Sequence, residues 1–123
     1  MFDNIAEIRK TRKEYNLQMF RSGIGTFREF EEVEAHAFRD GALDRKHKEL
    51  IGMAVGISNR CYGCIEHHVT NAVELGAGRK EILEAAAVAM VIGGGNAQWP
   101  TRFVFKVLED LKQSGKLETE KES

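Results

Sequence analysis

The stretch "ELIGMAVGISNRCYGCIEHH" (49–68) holds both cysteines of the chain, two of its four histidines and, at its start, a glutamate. Its first half carries Leu50, Ile51, Ala54, Val55 and Ile57 at helical spacing. Asp44 can cap that helix, and Asn59 tolerates the left-handed conformation that ends one. A second helix is predicted from about Cys61 to Leu75, stopping at Gly76. With about one residue between them, helices 44–59 and 61–75 form a tight antiparallel hairpin. Glu49 lies ~15 Å back from the turn and His68 ~10 Å forward of it, so the two sit at similar heights. Gly52 and Gly56 follow on the Glu49 face and leave room for the neighbouring helix.

Helical angles sort the polar residues. At about 100° per residue, Cys64 lies roughly 60° from Cys61 and His68 roughly 20°, whereas His67 lies about 120° away on another flank. Cys61, Cys64 and His68 therefore share a face. Both cysteines occupy the first turn, where unpaired amides and the helix dipole favour a thiolate, the reactive species. Arg60 adds positive charge. A carboxylate at Glu49 beside the His68 imidazole fixes its tautomer and raises its basicity. A base so placed can draw a proton from a thiol.

Outward from this hairpin the chain reads as helix throughout. Pro100 is the only proline, and no run of alternating β-branched residues appears. A first helix is predicted from a cap at Asp3 or Asn4 to about Arg21, broken by "SGIG" (22–25). "TFRE" (26–29) has the pattern of a capping box, with Phe27, Phe30, Val33, Ala37 and Phe38 following at helical spacing. Arg79 to about Ile92 is apolar all round, as a central helix would be. "GGG" (93–95) ends it and lacks the spacing of a nucleotide loop. Pro100 fits the first turn of a last helix, whose buried face is Phe103, Val107, Leu108 and Leu111. "SGKLETEKES" (114–123) is a polar, frayed tail. The expectation is one all-α domain over residues 1–123, with about six helices.

Composition excludes several function classes. The 123 residues carry 18 basic and 19 acidic side chains, a formal net charge of -1. That balance gives no reason to expect nucleic acid or an anionic membrane surface as a partner. No apolar run is long enough to span a bilayer, and "MFDNIAEIRK" is unlike a signal peptide. A reducing, cytoplasmic location is the default, and there a close cysteine pair points to redox chemistry or a metal. Against these stands the plainer reading of two buried thiols. A zinc site of Cys61, Cys64 and a histidine, with Glu49 as fourth ligand, has no second C-x-x-C to complete it. His67, His36, His47 and Glu66 read as surface or interface residues. Tyr62 either lines the pocket or packs, and Trp99 suits a subunit interface.

The residues of 49–68 carry a resemblance. A Glu, eleven intervening residues, then C-x-x-C-x-x-x-H resembles the core signature of the alkylhydroperoxidase D-like branch of the carboxymuconolactone decarboxylase family. Glu49, Cys61, Cys64 and His68 match it one by one. "NAVELGAGRKEILEAAAVAMVIGGGNA" (71–97) resembles the helix pair that follows, so the likeness covers about 44–97. It implies an all-helical fold carrying the C-x-x-C site on a helical hairpin. It also implies a thiol-dependent peroxidase that needs neither cofactor nor metal. Cys64 would be the peroxidatic residue, Cys61 the resolving one, and Glu49 with His68 the proton relay. The implied partners are a hydroperoxide, an external thiol reductant such as a dihydrolipoyl protein or a thioredoxin, and further copies of the chain in a homotrimer or homohexamer. Gly63 stands where members with peroxidase activity often have a histidine, and the chain has the length of single-repeat members. Two other functions fit the same residues in part. One is a decarboxylase acting on a small lactone, a branch that does not rely on a C-x-x-C pair. The other is a non-enzymatic dithiol or zinc-binding module.

Overall fold

A computed structural model describes residues 3–118. Six helices follow one another: α1 (Ile5–Phe20), α2 (Thr26–Ala37), α3 (Arg45–Ser58), α4 (Tyr62–Glu74), α5 (Arg79–Gly93) and α6 (Gly95–Gln113). No strand occurs among the described residues.

The core lies among α3, α4, α5 and α6. Met53 and Ile57 from α3 meet Ile65 and Val69 from α4, Ile82 and Ala86 from α5, and Val104, Val107, Leu108 and Leu111 from α6. Every one of these is 2% exposed or less, so this four-helix layer holds the hydrophobic driving force. The α3–α4 hairpin forms as predicted, with three residues rather than one between its helices. Asp44 caps α3 by accepting from the His47 amide, and Asn4 caps α1 by accepting from the Glu7 amide.

α1 and α2 are peripheral. α1 buries Ile5 alone and is tied down by charge. The Arg9 Nε donates to Glu66 Oε2 at 2.8 Å and its Nη1 to Asp110 Oδ2 at 2.8 Å. Arg12 forms an ion pair with Glu66 Oε1 and donates from Nη2 to the Gly63 carbonyl at 2.9 Å. α2 buries none of its residues.

Several expectations change. The "TFRE" capping box does not form: Thr26 is already helical, Gly25 is the cap, and no side chain bonds the exposed amides. The left-handed residue after α3 is Arg60 (φ 55°), whereas Asn59 has φ -85°. α5 is not central in a single chain. Ile82, Ala86 and Ala89 are buried, but Val88, Val91 and Ile92 are 65%, 76% and 82% exposed. α6 starts at Gly95, so Pro100 lies inside the helix instead of in its first turn. Proline cannot donate to the carbonyl four residues back. That acceptor, the Asn96 carbonyl, takes a hydrogen bond from Arg60 Nη1 at 2.8 Å instead. Gly94 supplies the sharp α5–α6 corner with φ 68° and ψ -149°, a conformation open essentially to glycine alone. Leu117, in the segment read as a frayed tail, packs against the core. Residues 119–123 of that segment lie outside the described part.

Candidate functional site

The first turn of α4 carries the cysteines. Cys61 is the N-cap residue, and its Sγ accepts from the Cys64 amide at 3.2 Å. The two are joined as a disulfide, with Cα atoms 5.2 Å apart. A pair three residues apart at a helix start can bond this way because the N-cap backbone is extended, not helical. Both residues are partly exposed.

Glu49 and His68 meet across the hairpin as their heights predict. His68 Nδ1 is 2.7 Å from Glu49 Oε1. A carboxylate only accepts, so Nδ1 carries the hydrogen and Nε2 is left as the basic nitrogen. Glu49 is only 2% exposed, and a buried carboxylate needs partners. Arg45 Nε donates to its Oε2 at 3.4 Å, and Asn71 Nδ2 lies 3.4 Å from both oxygens.

Backbone and ring hold the imidazole between them. A side-chain carbon on Gly52 would stand 2.9 Å from three atoms of the His68 ring, so α3 lies directly against it. On Gly56 such a carbon would be 3.1 Å from the Cys64 Cβ. Glycine at both positions therefore sets the close approach of α3 to α4. Phe38, just past α2, stacks on His68 with centroids 5.4 Å apart and planes 7° from parallel. Cys64 and His68 sit four residues apart on one face of α4, which makes them neighbours on the helix surface.

A cavity of about 500 Å³ opens beside Glu49 and His68, lined also by Glu34, Phe38, Arg45, His67 and Asn71. His67 is half-buried there, edge-on to His68 at 5.1 Å. Burial, then the charges of Arg12 and His68, hold its pKa below the ordinary imidazole value. Neutral His67 accepts at Nε2 from Asn71 at 3.3 Å. It braces the pocket wall, half-buried, where the sequence suggested a surface or interface residue.

Glu66 corrects the reading of a surface charge, for it is 1% exposed. Burial would raise its pKa, but the bonds from Arg9, Arg12 and Thr70 outweigh that and hold it below the usual carboxylate range. Tyr62 both lines a groove and packs edge-on to Phe103 at 5.1 Å. His36 and His47 are exposed. Among the described residues, no group of three or more His, Cys, Asp and Glu side chains is placed to hold a metal. Nor is any helix among them long and apolar enough to cross a membrane.

Three residues of the site escaped the sequence reading. Phe38 was legible only as one apolar position in a helix. Asn71 and Arg45 each stand one helical repeat from a named site residue, Asn71 three past His68 and Arg45 four before Glu49. That spacing was the signal available for them.

Known proteins carry the same architecture. The carboxymuconolactone decarboxylase family model matches residues 25–109. An uncharacterized protein from the cox locus of Paracoccus denitrificans is 35% identical over 91 residues, covering 74% of this chain and 82% of that one. A crystal structure from Thermotoga maritima superposes with a TM-score of 0.83 at 32% identity, covering 89% of this chain and 96% of that one. A second structure from that organism superposes at 0.72 with 34% identity, covering 76% and 97%; it is described as a family member for which a part in antioxidative response is suggested. An apo family member from Legionella pneumophila gives 0.65 at 34% identity, covering 85% and 87%. The matched region contains Glu49, Cys61, Cys64 and His68 in the pattern of the alkylhydroperoxidase D-like branch. With helical order, hairpin and sequence in agreement, the chain belongs to the carboxymuconolactone decarboxylase family.

Proposed function

We propose that the protein is a thiol-dependent peroxidase that reduces hydroperoxides through Cys61 and Cys64. The observation that carries this reading is the 2.7 Å contact between His68 Nδ1 and Glu49 Oε1, made across the hairpin that also holds the disulfide. In the reduced protein, His68 Nε2 takes the proton of the Cys64 thiol. The thiolate attacks one peroxide oxygen, the O–O bond breaks, and the alcohol leaves with a proton from His68. Cys64 is then a sulfenic acid. Cys61 attacks that sulfur, water leaves, and the disulfide of this structure forms. An external dithiol returns the two electrons. General-base help of this kind contributes on the order of 10²-fold or more.

The same reading has the chain work as a homotrimer or homohexamer. Val88, Val91 and Ile92 on α5, Phe30 and Val33 on α2, and Trp99 are each 60% exposed or more in one chain. An apolar surface of that extent suits contact between copies. A cytoplasmic setting accords with a thiol cycle run by cellular reductants.

The test crosses a panel of peroxides with dithiol and thioredoxin-type reductants on wild type, Cys61→Ser and Cys64→Ser. Wild type should consume peroxide. Cys64→Ser should not, and Cys61→Ser should stop after one oxidation with a dimedone-reactive sulfenic acid on Cys64. Tight zinc binding with no turnover would replace this reading with a dithiol module. Turnover of a small lactone independent of both thiols would replace it with a decarboxylase.

A further inference from the structure

A relay through His68 needs its Nε2 aimed at Cys64, and the last torsion of a histidine is broad unless something holds the ring. One face of the ring is held by Gly52. A carbon added there would stand 2.9 Å from each of His68 Cγ, Nδ1 and Cε1. A point equidistant from three atoms of a ring lies over the ring's centre, so α3 backbone covers that face. The Phe38 ring is 7° from parallel to the imidazole, with centroids 5.4 Å apart. With one face taken, Phe38 covers the other.

Phe38 is itself held by α3. α2 buries none of its residues, so packing does not fix its end. Lys48 does. Its Nζ donates to the Ala37 carbonyl at 2.9 Å and also to the Arg39 carbonyl, one on each side of Phe38. Carbonyls at a helix end lack intrahelical partners, and a cation suits that end. The Asp40 carboxylate secures the same turn by accepting from the Arg45 amide at 2.7 Å. Lys48 and Glu49 are adjacent in the chain and reach the imidazole by different routes. Glu49 holds its Nδ1 edge directly, and Lys48 acts on its face through Phe38.

We propose that Phe38 is a positioning residue for His68, clamped on the imidazole by Lys48, and that this stack keeps Nε2 turned to Cys64. The inference rests on the relay of the proposed peroxidase and names what aims it. The Glu49 bond alone fixes one edge and lets the ring tilt about that edge. The stack removes the tilt, favouring the held orientation by about 2- to 12-fold, the worth of an aromatic pair. A base displaced by about 1 Å can lose up to about 100-fold in rate.

The test starts from Cys61→Ser, in which Cys64 is the single thiol. It follows alkylation of Cys64 by iodoacetamide at neutral pH, so it does not depend on peroxide. Phe38→Leu keeps an apolar side chain but loses the flat ring. It should slow alkylation about tenfold, shift the His68 ring-proton resonances as the ring current of Phe38 is lost, and speed solvent exchange of the Nδ1 proton. The α4 backbone amides should exchange as in the parent, which separates a loosened ring from a loosened fold. Phe38→Tyr keeps the ring and should restore all three readouts. Lys48→Met keeps the stem, loses the ammonium, and should move the same readouts in the same direction by less. A Phe38→Leu protein that loses stability but keeps the parent's resonances and alkylation rate overturns the proposal, for Phe38 then only covers surface. Failure of Phe38→Tyr to restore the readouts overturns it too. Lys48→Met indistinguishable from the parent refutes the clamp. If wild type consumes no peroxide while these outcomes hold, the peroxidase reading falls and the positioning stands. If peroxide turns over and these outcomes fail, the positioning falls alone.

Discussion

Replacing Gly52 with alanine tests the packing on which the relay depends. The new methyl carbon would stand 2.9 Å from His68 Cε1, Cγ and Nδ1. Carbon contacts are comfortable at about 3.5–4.0 Å, so the ring must retreat by about 0.6–1 Å. Phe38 is stacked on the imidazole and limits that retreat. A shift of this size takes the 2.7 Å bond to Glu49 out to roughly 3.4 Å, beyond a sound hydrogen bond. Overpacking costs about 1–3 kcal/mol, and a hydrogen bond to a charged group is worth about 1.5–3 kcal/mol. Alanine in a helix interior recovers about 1 kcal/mol. The net expectation is a loss of about 1.5–5 kcal/mol, or a Tm lowered by roughly 5–20 °C, with disulfide formation by peroxide slowed about 100-fold. Gly63→Ala is the control. It also lies in a helix, but nothing stands within 4 Å of the added carbon, so its Tm should hold or rise. Calorimetry and stopped-flow oxidation of both variants give the answer. A Gly52→Ala protein as stable as Gly63→Ala, oxidised at the wild-type rate, would refute the close approach of α3 to His68.

Glu49→Gln keeps the shape but removes the charge that supports His68 as a base. The pH dependence of Cys64 alkylation should move upward while the fold survives. Identical profiles for wild type, Glu49→Gln and His68→Gln would leave thiol reactivity to the helix terminus alone. Glu66→Gln should destabilise the protein by about 2 kcal/mol, because Arg9 and Arg12 lose the charge they converge on. The Glu66 pKa is lowered in the fold, so its contribution is present above the unfolded carboxyl value and disappears as pH falls through the folded one. Urea titrations at descending pH should therefore show wild type and Glu66→Gln converging in acid. His67 adds to acid lability: its pKa is also lowered, so protons bind the unfolded chain first as pH drops below about 6.5. Light scattering at micromolar concentration should find an oligomer, and Val91→Glu with Ile92→Glu should break it up; a wild-type monomer would contradict the assembly.

What the sequence disclosed depends on how far apart the partners lie. The caps at Asn4 and Asp44 are local events, settled by a side chain and an amide three residues on, and both formed. The Glu49–His68 contact spans 19 positions, yet it was legible because two rigid helices and a short turn convert residue number into height. Glu66 was not. Its partner Arg9 is 57 residues distant, on a helix that shares no turn with α4, so nothing nearby marks that carboxylate as buried. Pro100 misled for the same reason: the donor that excuses a proline inside α6 comes from Arg60, across 36 positions. The α5 sequence reads as central because its apolar residues run right round the helix, and only the neighbours seated beside it show which of them one chain can cover.

The hairpin has a consequence for how the chain reaches this structure. Three residues separate α3 from α4, so closing that loop costs little chain entropy. Glu49, Cys61, Cys64 and His68 all lie within this local unit, and its helices supply Met53, Ile57, Ile65 and Val69 to the core. Contacts of low sequence separation form early in folding. The thiols would therefore be gathered beside their base before Arg9 and Arg12 draw α1 over them, leaving the pair open to oxidation while the nascent chain is still assembling. Their bond closes a loop within the first turn of α4 alone, so it can form before any helix has met another.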